Sequence, residues 1–548
     1  MTQPNETSGT DGWTIVRDGG FHLVRGGRPA LLLGGQVHNS SSSSLQSIAD
    51  SFAHVRRMNG NAVLAPVSWA LVEPEEGVFD FSLVEAMLHE ARANGLRLVL
   101  LWFGAFKNAA STYAPRWVRA DDARFPRAVV HARGLQAFNY EGATAKPVLS
   151  VFSEELRGAD AAAFEALLRL LRDADPEDTV AMIQVENESG LLSDSRDRGL
   201  LAERAWASPV PAALLDRLAQ DADSPASRLW RDHGATASGS WSDLFGDDVR
   251  ADEVFMAWAF ATYVEHLAYR GRAIKPVPMF ANAWLGPQPG QDDPGQFPSG
   301  GPASRVIEVW QAGAPSLDLV GPDLYVDDAD AAMRAYATRE QPLFVPECRP
   351  RAGELVRAIG TYRAIGWSAF GIDRVNPVGQ VAGALAYLTA LETEITNAGS
   401  RGALAAVVLE PEDELVQVRL GQLEIAARGT LVLFQRMLLD AGVQAPAPEL
   451  SLPDETTVDA PVPAPADTRP YCLLIAEDRD SVIAVGQGVT LDFAGDDHLE
   501  IDSVQELLVE HGRIVPGRVL NGDERLSILP THRVGAARVR LLRRGATD

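Results

Sequence analysis

The chain has 548 residues, with 49 Lys and Arg against 74 Asp and Glu, which gives a formal net charge of −25. Such an acidic chain lacks the positive surface that general nucleic-acid binding or attachment to an anionic membrane requires. At this length two or three domains are expected, and an apolar fraction of 46% allows large cores. The two cysteines, Cys348 and Cys472, exclude a zinc cluster of several Cys but leave a disulfide between them open.

The start of the chain is polar. Met1 to Thr7 contain neither the basic stretch nor the apolar run of a signal peptide, and residues 1–12 are predicted to be disordered. No run reaches the roughly 18 apolar residues that a membrane-spanning helix needs. We therefore expect a cytoplasmic protein with no membrane partner.

From residue 13 a hairpin leads into a regular alternation of strand-type and helix-type segments. Eight apolar runs are typical of strands, at residues 30–38, 61–67, 96–104, 179–188, 277–284, 317–325, 342–347 and 366–372. Helical patterns follow them, at residues 48–58, 81–94, 154–174, 252–270, 303–312, 329–337, 353–365 and 379–398. This alternation predicts parallel strands with right-handed crossovers, and eight of them favour a closed (β/α)₈ TIM barrel over an open doubly wound sheet. No G-x-G-x-x-G follows the first strand, which argues against a dinucleotide-binding fold.

Two long segments interrupt the barrel pattern, an aromatic-rich loop at 105–152 and an irregular insertion at 191–250. We expect both to form walls of a pocket at the barrel mouth. After residue 400 short runs alternate at period two, broken by a Pro-rich stretch at 445–470 that we interpret as an ordered loop. The sequence therefore predicts a barrel with its hairpin over 13–400 and a smaller all-β sandwich domain over 401–548.

One predicted strand, 179–188, ends in two carboxylates around an Asn. Because strand side chains alternate, Gln184, Glu186 and Glu188 should share one face. In a (β/α)₈ barrel, chemistry collects at the carboxyl ends of the strands, so this acidic end is a candidate catalytic site. The alternative is a solvated acidic strand end.

A second apolar run ends in Glu347, at the end of strand seven. Hydrolysis of a glycosidic bond with retention needs two carboxyl groups, one to protonate the leaving oxygen and one to attack the anomeric carbon. Glu188 and Glu347 would lie on the same end of the barrel, so they are the candidate pair. The alternative for Glu347 is a salt bridge to Arg349 or Arg351.

Neighbouring residues are candidates for substrate binding. Asn187 could hydrogen-bond the 2-hydroxyl of a sugar. Glu186 could orient other groups or bind hydroxyls, or it could be a buried carboxylate satisfied by Arg or backbone donors. Further polar candidates are Asn282, Tyr325, Gln36 and His38.

Aromatic side chains crowd the predicted strand ends and could contact the apolar faces of a sugar. They are Trp69, Trp102, Phe103, Trp284, Tyr325, Trp367 and Phe370. For any single one of them, packing of the barrel is the better explanation. His38 has no His or Asp at ligand spacing, and no H-E-x-x-H or G-x-S-x-G motif is present, so no metal, no cofactor and no serine nucleophile are expected.

Three stretches, at 34–41, 69–81 and 184–190, resemble glycoside hydrolase family 35. The resemblance extends over about residues 14–400 and implies a retaining β-galactosidase, similar to a bacterial branch whose barrel is followed by its own β-sandwich. It implies that Glu188 is the acid/base, Glu347 the nucleophile and Asn187 the contact to the 2-hydroxyl. Two departures touch the pocket: Ser189 replaces the usual Tyr, and the segment 345–349 departs from the commoner N/S-E-F/Y pattern.

These observations predict a retaining exo-β-galactosidase that acts on a β-galactoside or a related oligosaccharide. One alternative is a retaining glycosidase for another β-linked sugar, and a second is a carbohydrate-binding protein without catalysis. The presence of both glutamates argues against the second alternative. The sequence leaves open whether the chain forms a homo-oligomer.

Overall fold

The computed structural model describes residues 12–131, 148–444, 452–457, 460, 463–495 and 498–544. The predicted disorder of residues 1–12 therefore falls almost entirely outside the described residues. Part of the 105–152 loop and part of the Pro-rich stretch also fall outside them.

The chain opens with a small antiparallel sheet and continues into a parallel barrel. The sheet contains β1 (Trp13–Arg17), β2 (Phe21–Arg25) and β3 (Arg28–Ala30), which confirms the predicted hairpin. The barrel contains β4 (Leu32–Gln36), β5 (Ala62–Ser68), β6 (Arg97–Lys107), β7 (Val180–Asn187), β8 (Met279–Trp284), β9 (Leu319–Leu324), β10 (Phe344–Val345), β11 (Glu347–Cys348) and β12 (Gly366–Phe370).

The barrel closes through its seventh strand, which Pro346 divides into β10 and β11. β10 pairs in parallel with β12, and β11 pairs in parallel with β9. β12 in turn pairs with β4, so the ring has no free edge. A proline lacks the N–H that a ladder needs, which explains why the strand is divided at this position.

Helices cover the outside of the barrel. In chain order they are α1 (Leu45–Arg57), α2 (Trp69–Val72), α3 (Ser82–Ala93), α4 (Arg116–Arg119), α5 (Glu154–Ala174), α6 (Leu200–Trp206), α7 (Ala212–Gln220), α8 (Pro225–Asp232), α9 (Trp241–Phe245), α10 (Val249–Arg272), α11 (Ile307–Gly313), α12 (Ala329–Tyr336), α13 (Ala352–Gly360), α14 (Gln380–Ala390) and α15 (Glu392–Ser400). Helices α6–α9 lie in the 191–250 insertion. None of the described helices combines the length and the apolar character needed to cross a bilayer.

The barrel interior is a packed core that the N-terminal sheet closes from below. Leu64, Leu101 and Phe344 from three strands share one cluster with Trp13 and Leu23 of that sheet. The indole N–H of Trp13 donates to the carbonyl of Asp178, just before β7, at 2.7 Å. The N-terminal sheet therefore covers the bottom of the barrel.

The region after the barrel contains two antiparallel sheets. The six-stranded sheet is formed by β13 (Leu404–Val408), β16 (Tyr471–Ala476), β17 (Ser481–Gln487), β21 (Gly535–Arg544), β19 (His498–Glu510) and β20 (Arg513–Leu520), in that order, and the three-stranded sheet by β14 (Val416–Leu420), β15 (Leu423–Gly429) and β18 (Val489–Ala494). Leu474 and Ala484 of the first sheet share a buried cluster with Ile425 and Leu491 of the second. The sheets thus face each other, which confirms the predicted fold class of a barrel followed by a sandwich.

One helix of the sandwich region, α16 (Thr430–Asp440), was not predicted. The other face of the six-stranded sheet packs on the barrel, because Leu473 and Val485 belong to the same core as Leu355 and Leu388 of α13 and α14. The predicted boundary near residue 400 stays a prediction. Cys348 and Cys472 are both buried and free, so the disulfide that the sequence left open is not formed.

Candidate active site

A backbone irregularity sets the end of β7. Trp102 on β6 pairs with Val185, but the next pair is Lys107 with Asn187, so β6 runs five residues where β7 runs two. Glu186 has a φ of 61° and Glu188 a φ of 44°, both in the left-handed region. Such a bulge redirects the following side chains, so the simple alternation expected for Gln184, Glu186 and Glu188 does not hold.

Glu186 is turned away from the mouth into the layer between barrel and helices. Its two carboxyl oxygens accept hydrogen bonds from the backbone N–H of Ala105, at 3.1 Å, and of Phe106, at 2.7 Å. These are donors that the irregular strand pairing leaves without a ladder partner. Position 104 has room only for glycine, because the Cβ of any other residue would lie 2.6 Å from Oε1 of Glu186.

A second buried carboxyl group, Asp160 on α5, completes this cluster. Asp160 accepts hydrogen bonds from the indole of Trp102, at 2.9 Å, and from the hydroxyl of Tyr263, at 2.8 Å. Burial, followed by the charge of Asp160 and a hydrogen bond to it, raises the pKa of Glu186 well above its usual range. The expected role of Glu186 in binding hydroxyls thus finds no support in these contacts, which match the alternative of a buried carboxylate satisfied by backbone donors.

Glu188 lies at the mouth, 5% exposed. Its Oε2 accepts a hydrogen bond from the side-chain amide of Asn108, which follows β6. Its backbone N–H donates to Oδ1 of Asn282 on β8, at 2.9 Å. Two neighbouring strands therefore fix both the main chain and the carboxyl group of Glu188.

Glu347 lies on β11, 6% exposed. Its Oε1 accepts a 2.7 Å hydrogen bond from the hydroxyl of Tyr325. Its Oε2 is buried and has no hydrogen-bond partner among the described residues. Arg349 is 3.9 Å from Asp327 and Arg351 is 3.2 Å from Glu354, so the alternative of a salt bridge from either arginine to Glu347 is wrong.

Asp323 on β9 lies between the two glutamates, and sequence reasoning missed it. It is the register partner of Glu347 and accepts a 2.7 Å hydrogen bond from Asn282, the residue that also contacts Glu188. Burial raises the pKa of Asp323 well above its usual range, and the charges of Glu347 and Glu188 add to the effect. A carboxylate inside an otherwise apolar strand was the available signal.

Asn187 and Lys107 form the other side of the mouth. Lys107, at the end of β6, is 4% exposed, and its Nζ donates to Oδ1 of Asn187 at 2.8 Å. The Nζ also lies 4.8 Å from the ring centroid of Phe103, within the range of a cation–π contact. Lys107, which sequence reasoning also missed, places a buried positive charge beside the carboxyl groups.

Gln36 ends β4, on the far side of the ring, and His38 follows it. Gln36 is fully buried, and neither its Oε1 nor its Nε2 has a partner among the described residues. The ring of His38 is 3.0 Å from Oδ1 of Asp373, and it contacts Phe370 edge to face at 5.3 Å. Burial opposes ionisation of Asp373, but hydrogen bonds from His38 outweigh it and lower the pKa of Asp373.

Three of the four tryptophans that sequence analysis placed at the strand ends lie in the core between the barrel and its helices. Trp69 donates to Glu73 at 2.8 Å and packs against Trp117, and Trp102 donates to Asp160. Trp367 belongs to the core that the helices share. These three residues match barrel packing instead of sugar binding. Trp69 begins α2, directly after β5, and alternation along β6 and β12 turns Trp102 and Trp367 outward.

The insertion contributes a network of ionic contacts beside the mouth. Arg196 lies 3.0 Å, and Arg198 2.7 Å, from the carboxylate of Asp252 on α10. Leu191 pairs with Ser299, which joins the start of the insertion to the loop after β8. These contacts attach the insertion to the barrel, but the expectation that it forms a wall of a pocket stays a prediction. Residues 132–147 of the other expected wall lie outside the described residues.

Two family models match parts of the chain. Residues 39–197 match the model of glycoside hydrolase family 42, described as "Beta-galactosidase". Residues 381–529 match a domain of unknown function, DUF5597. The first match includes Glu188, and Glu347 lies outside both. The first match supports the predicted similarity to β-galactosidase glycoside hydrolases, but the matching family is 42, not the family 35 that the motifs resemble.

Known proteins give more distant likenesses. A β-galactosidase of Xanthomonas manihotis is 34% identical over 108 residues, which is 18% of this chain and 17% of that relative. The β-galactosidase of the psychrophilic Marinomonas ef1 is 14% identical at a TM-score of 0.41, over 68% of this chain and 60% of its own. Gan42B, a GH42 β-galactosidase, is 12% identical at a TM-score of 0.45, over 94% and 98%. Both TM-scores are below 0.5, so the barrel assignment rests on strand pairing.

Proposed function

We propose that this chain is a retaining exo-β-galactosidase in which Glu347 is the nucleophile and Glu188 the acid/base. The observation that carries the proposal is the state of Glu347. One oxygen is held by Tyr325, and the other is buried without a partner among the described residues. A buried carboxylate oxygen without a partner costs folding free energy. Such a cost is typical of a functional site that presents the oxygen to a ligand.

The proposed reaction proceeds in two displacements. The free Oε2 of Glu347 attacks the anomeric carbon, and the glycosidic bond breaks as Glu188 donates its proton to the leaving oxygen. A covalent glycosyl-enzyme forms. Glu188 then takes a proton from water, which attacks the anomeric carbon and releases Glu347.

The proposed division of labour fits the surroundings of the two groups. Tyr325 donates its hydroxyl proton to one carboxyl oxygen of Glu347, which fixes the orientation of the Glu347 carboxyl group. Glu188 lies near Asp323 and Asn108, a setting of carboxyl and amide groups in which a proton can be held and returned. The amides of Gln36 and Asn187 retain buried atoms without described partners and supply contacts for sugar hydroxyls.

The proposed galactose specificity rests on the family match of residues 39–197, and the proposed exo mode requires that the loops at the mouth close the pocket. A glycosidase for another β-linked sugar uses the same pair of glutamates, so it remains the first alternative. A carbohydrate-binding protein without catalysis is the second. The free oxygen of Glu347 argues against a purely structural role, and the presence of both glutamates favours catalysis over binding alone.

The test compares the wild type with Glu347→Gln and Glu188→Gln on a panel of aryl β-glycosides. We expect turnover of the β-galactosides, and its loss by several orders of magnitude in Glu347→Gln. In Glu188→Gln, the turnover rate of substrates with poor leaving groups should fall by about 10²–10⁴-fold. The turnover rate of a dinitrophenyl galactoside should fall far less, because its leaving group needs no proton. NMR detection of β-galactose as the first product would establish retention.

Glu354→Gln is the matched control. Glu354 is a buried carboxyl group that follows the same strand but pairs with Arg351 on the outside of the barrel. It should retain wild-type turnover. Activity confined to another sugar would contradict the galactosidase assignment and retain the mechanism. Sugar binding without any turnover would favour the binding-protein alternative.

A further inference from the structure

The contact between Lys107 and Asn187 fixes which end of the Asn187 amide faces the mouth. An ammonium group has three donors and no acceptor. The partner of Lys107 Nζ, 2.8 Å away, must therefore be the carbonyl oxygen Oδ1 of Asn187. The orientation of the amide thus follows from chemistry and does not depend on distinguishing nitrogen from oxygen.

The opposite end of the amide is available. Nδ2 of Asn187 is buried, and within the part of the chain that the structure describes it has no hydrogen-bond partner. Asn187 directly precedes Glu188, and the residue as a whole is 0% exposed. The mouth therefore presents a buried N–H donor beside the proposed acid/base, and an acceptor oxygen of a ligand would satisfy it.

The position of Lys107 is fixed by its strand and by its neighbours. It ends β6 in register with Asn187, and its ammonium lies over the ring of Phe103 at 4.8 Å. The backbone N–H of Ala105 and Phe106 just before it is anchored on Glu186. The charge of Lys107 also opposes the rise in the pKa of Asp323, which places it electrostatically among the three carboxyl groups.

We propose that Lys107 is a positioning residue that locks Asn187 as a donor to the oxygen on the carbon next to the anomeric centre. This inference rests on the proposed function, because it assigns a substrate atom to that site. Without the ammonium, the amide is free to rotate and offer its carbonyl oxygen. Lys107 therefore sets the preference for a substrate that carries an oxygen acceptor at this position.

The experiment measures kcat/KM for an aryl β-galactoside and for its 2-deoxy analogue. Wild type should prefer the 2-hydroxy substrate, and Asn187→Ala should remove the preference. Lys107→Met, which keeps the length of the side chain but lacks the donor, should lower the preference by about ten-fold, mainly through the 2-hydroxy substrate. Lys107→Arg retains donor and charge and should restore part of it.

Coupling is tested with the Asn187→Ala/Lys107→Met double variant. It should lose no further discrimination beyond Asn187→Ala, because both changes remove the same contact. Lys275→Met is the matched control. Lys275 is also a buried lysine, but it contacts Asp178 at the barrel bottom, so the preference should be unchanged.

An equal loss on both substrates in Lys107→Met would overturn the inference and leave the proposed function standing. A loss of preference in the double variant equal to the product of the losses in the two single variants would also overturn it. Calorimetric titration with galactose and 2-deoxygalactose gives a readout without turnover, in which the same pattern is expected. A wild type that neither turns over nor binds galactosides would overturn the proposed function, and this inference with it.

Discussion

The hydroxyl of Tyr325 lies 2.7 Å from Oε1 of Glu347, and the two residues belong to neighbouring strand ends. Burial and the charge of Glu347 raise the pKa of the Tyr325 hydroxyl, so it stays a donor throughout the working pH range. This single contact leaves one oxygen of Glu347 occupied and the other available.

Tyr325→Phe should weaken catalysis without unfolding the protein. Loss of one hydrogen bond to a charged group is worth about 1.5–3 kcal/mol. We therefore expect kcat to fall by about 10–100-fold, as steady-state kinetics on an aryl β-galactoside would measure. Tyr387→Phe removes a buried hydroxyl at the contact with the sandwich, where it donates to Leu507, and should retain kcat. Equal effects from both variants would contradict a specific role for Tyr325.

Glu186→Ala should be destabilising. It removes the described acceptor of the buried Phe106 N–H and one of two acceptors of Ala105, whose N–H also donates to Asp160. It also leaves Asp160 without its carboxyl neighbour. An unsatisfied buried donor costs about 1–3 kcal/mol, so a loss of roughly that size is expected in urea denaturation. Activity should fall as well, because Lys107 follows the anchored segment. Wild-type stability in this variant would show that the cluster does not hold β6.

Gln36→Leu should separate stability from function. Both polar atoms of Gln36 are buried without described partners, so an apolar side chain of similar size removes a desolvation cost. We expect the free protein to gain about 1 kcal/mol in denaturation experiments, and KM for the galactoside to rise. A stability loss in this variant would indicate that Gln36 has a partner in the folded chain.

Glu455 should make stability depend on pH. Burial raises its pKa to about 7, although the backbone N–H groups of Gln380 and Val381 donate to it at the start of α14. A raised pKa means that the folded state binds the proton more tightly. The contribution of Glu455 is therefore fully present below about pH 4.5 and is lost as the pH rises through 7.

Glu455→Gln removes this titration. The free energy of unfolding of the variant relative to the wild type should increase between pH 5 and pH 8, by up to about 3 kcal/mol. Urea denaturation at each pH measures it. Glu412→Gln, at an exposed position, is the control and should show a constant difference. A constant difference for Glu455→Gln itself would contradict the prediction.

The order and number of the barrel strands follow from the amino-acid sequence alone. Continuous apolar runs, such as Leu98 to Leu101, and helical periodicity between them are local patterns, and they survive into the structure. The same logic located Glu188 and Glu347, because each lies close to the end of an apolar run. Pairing of parallel strands then brings such ends to one edge, which makes the mouth predictable without coordinates.

Which side chains share the mouth depends on contacts between distant segments that form only in the folded chain. Alternation predicted Glu186 beside Glu188, but the bulge between β6 and β7 turned it outward, since unpaired N–H groups of Ala105 and Phe106 required an acceptor. The same change of register brought Lys107 to Asn187. Asp323 gained its position from its register with Glu347 on another strand. Local periodicity encodes regular strands, whereas bulges and cross-strand neighbours arise from hydrogen-bond requirements between segments distant in the chain.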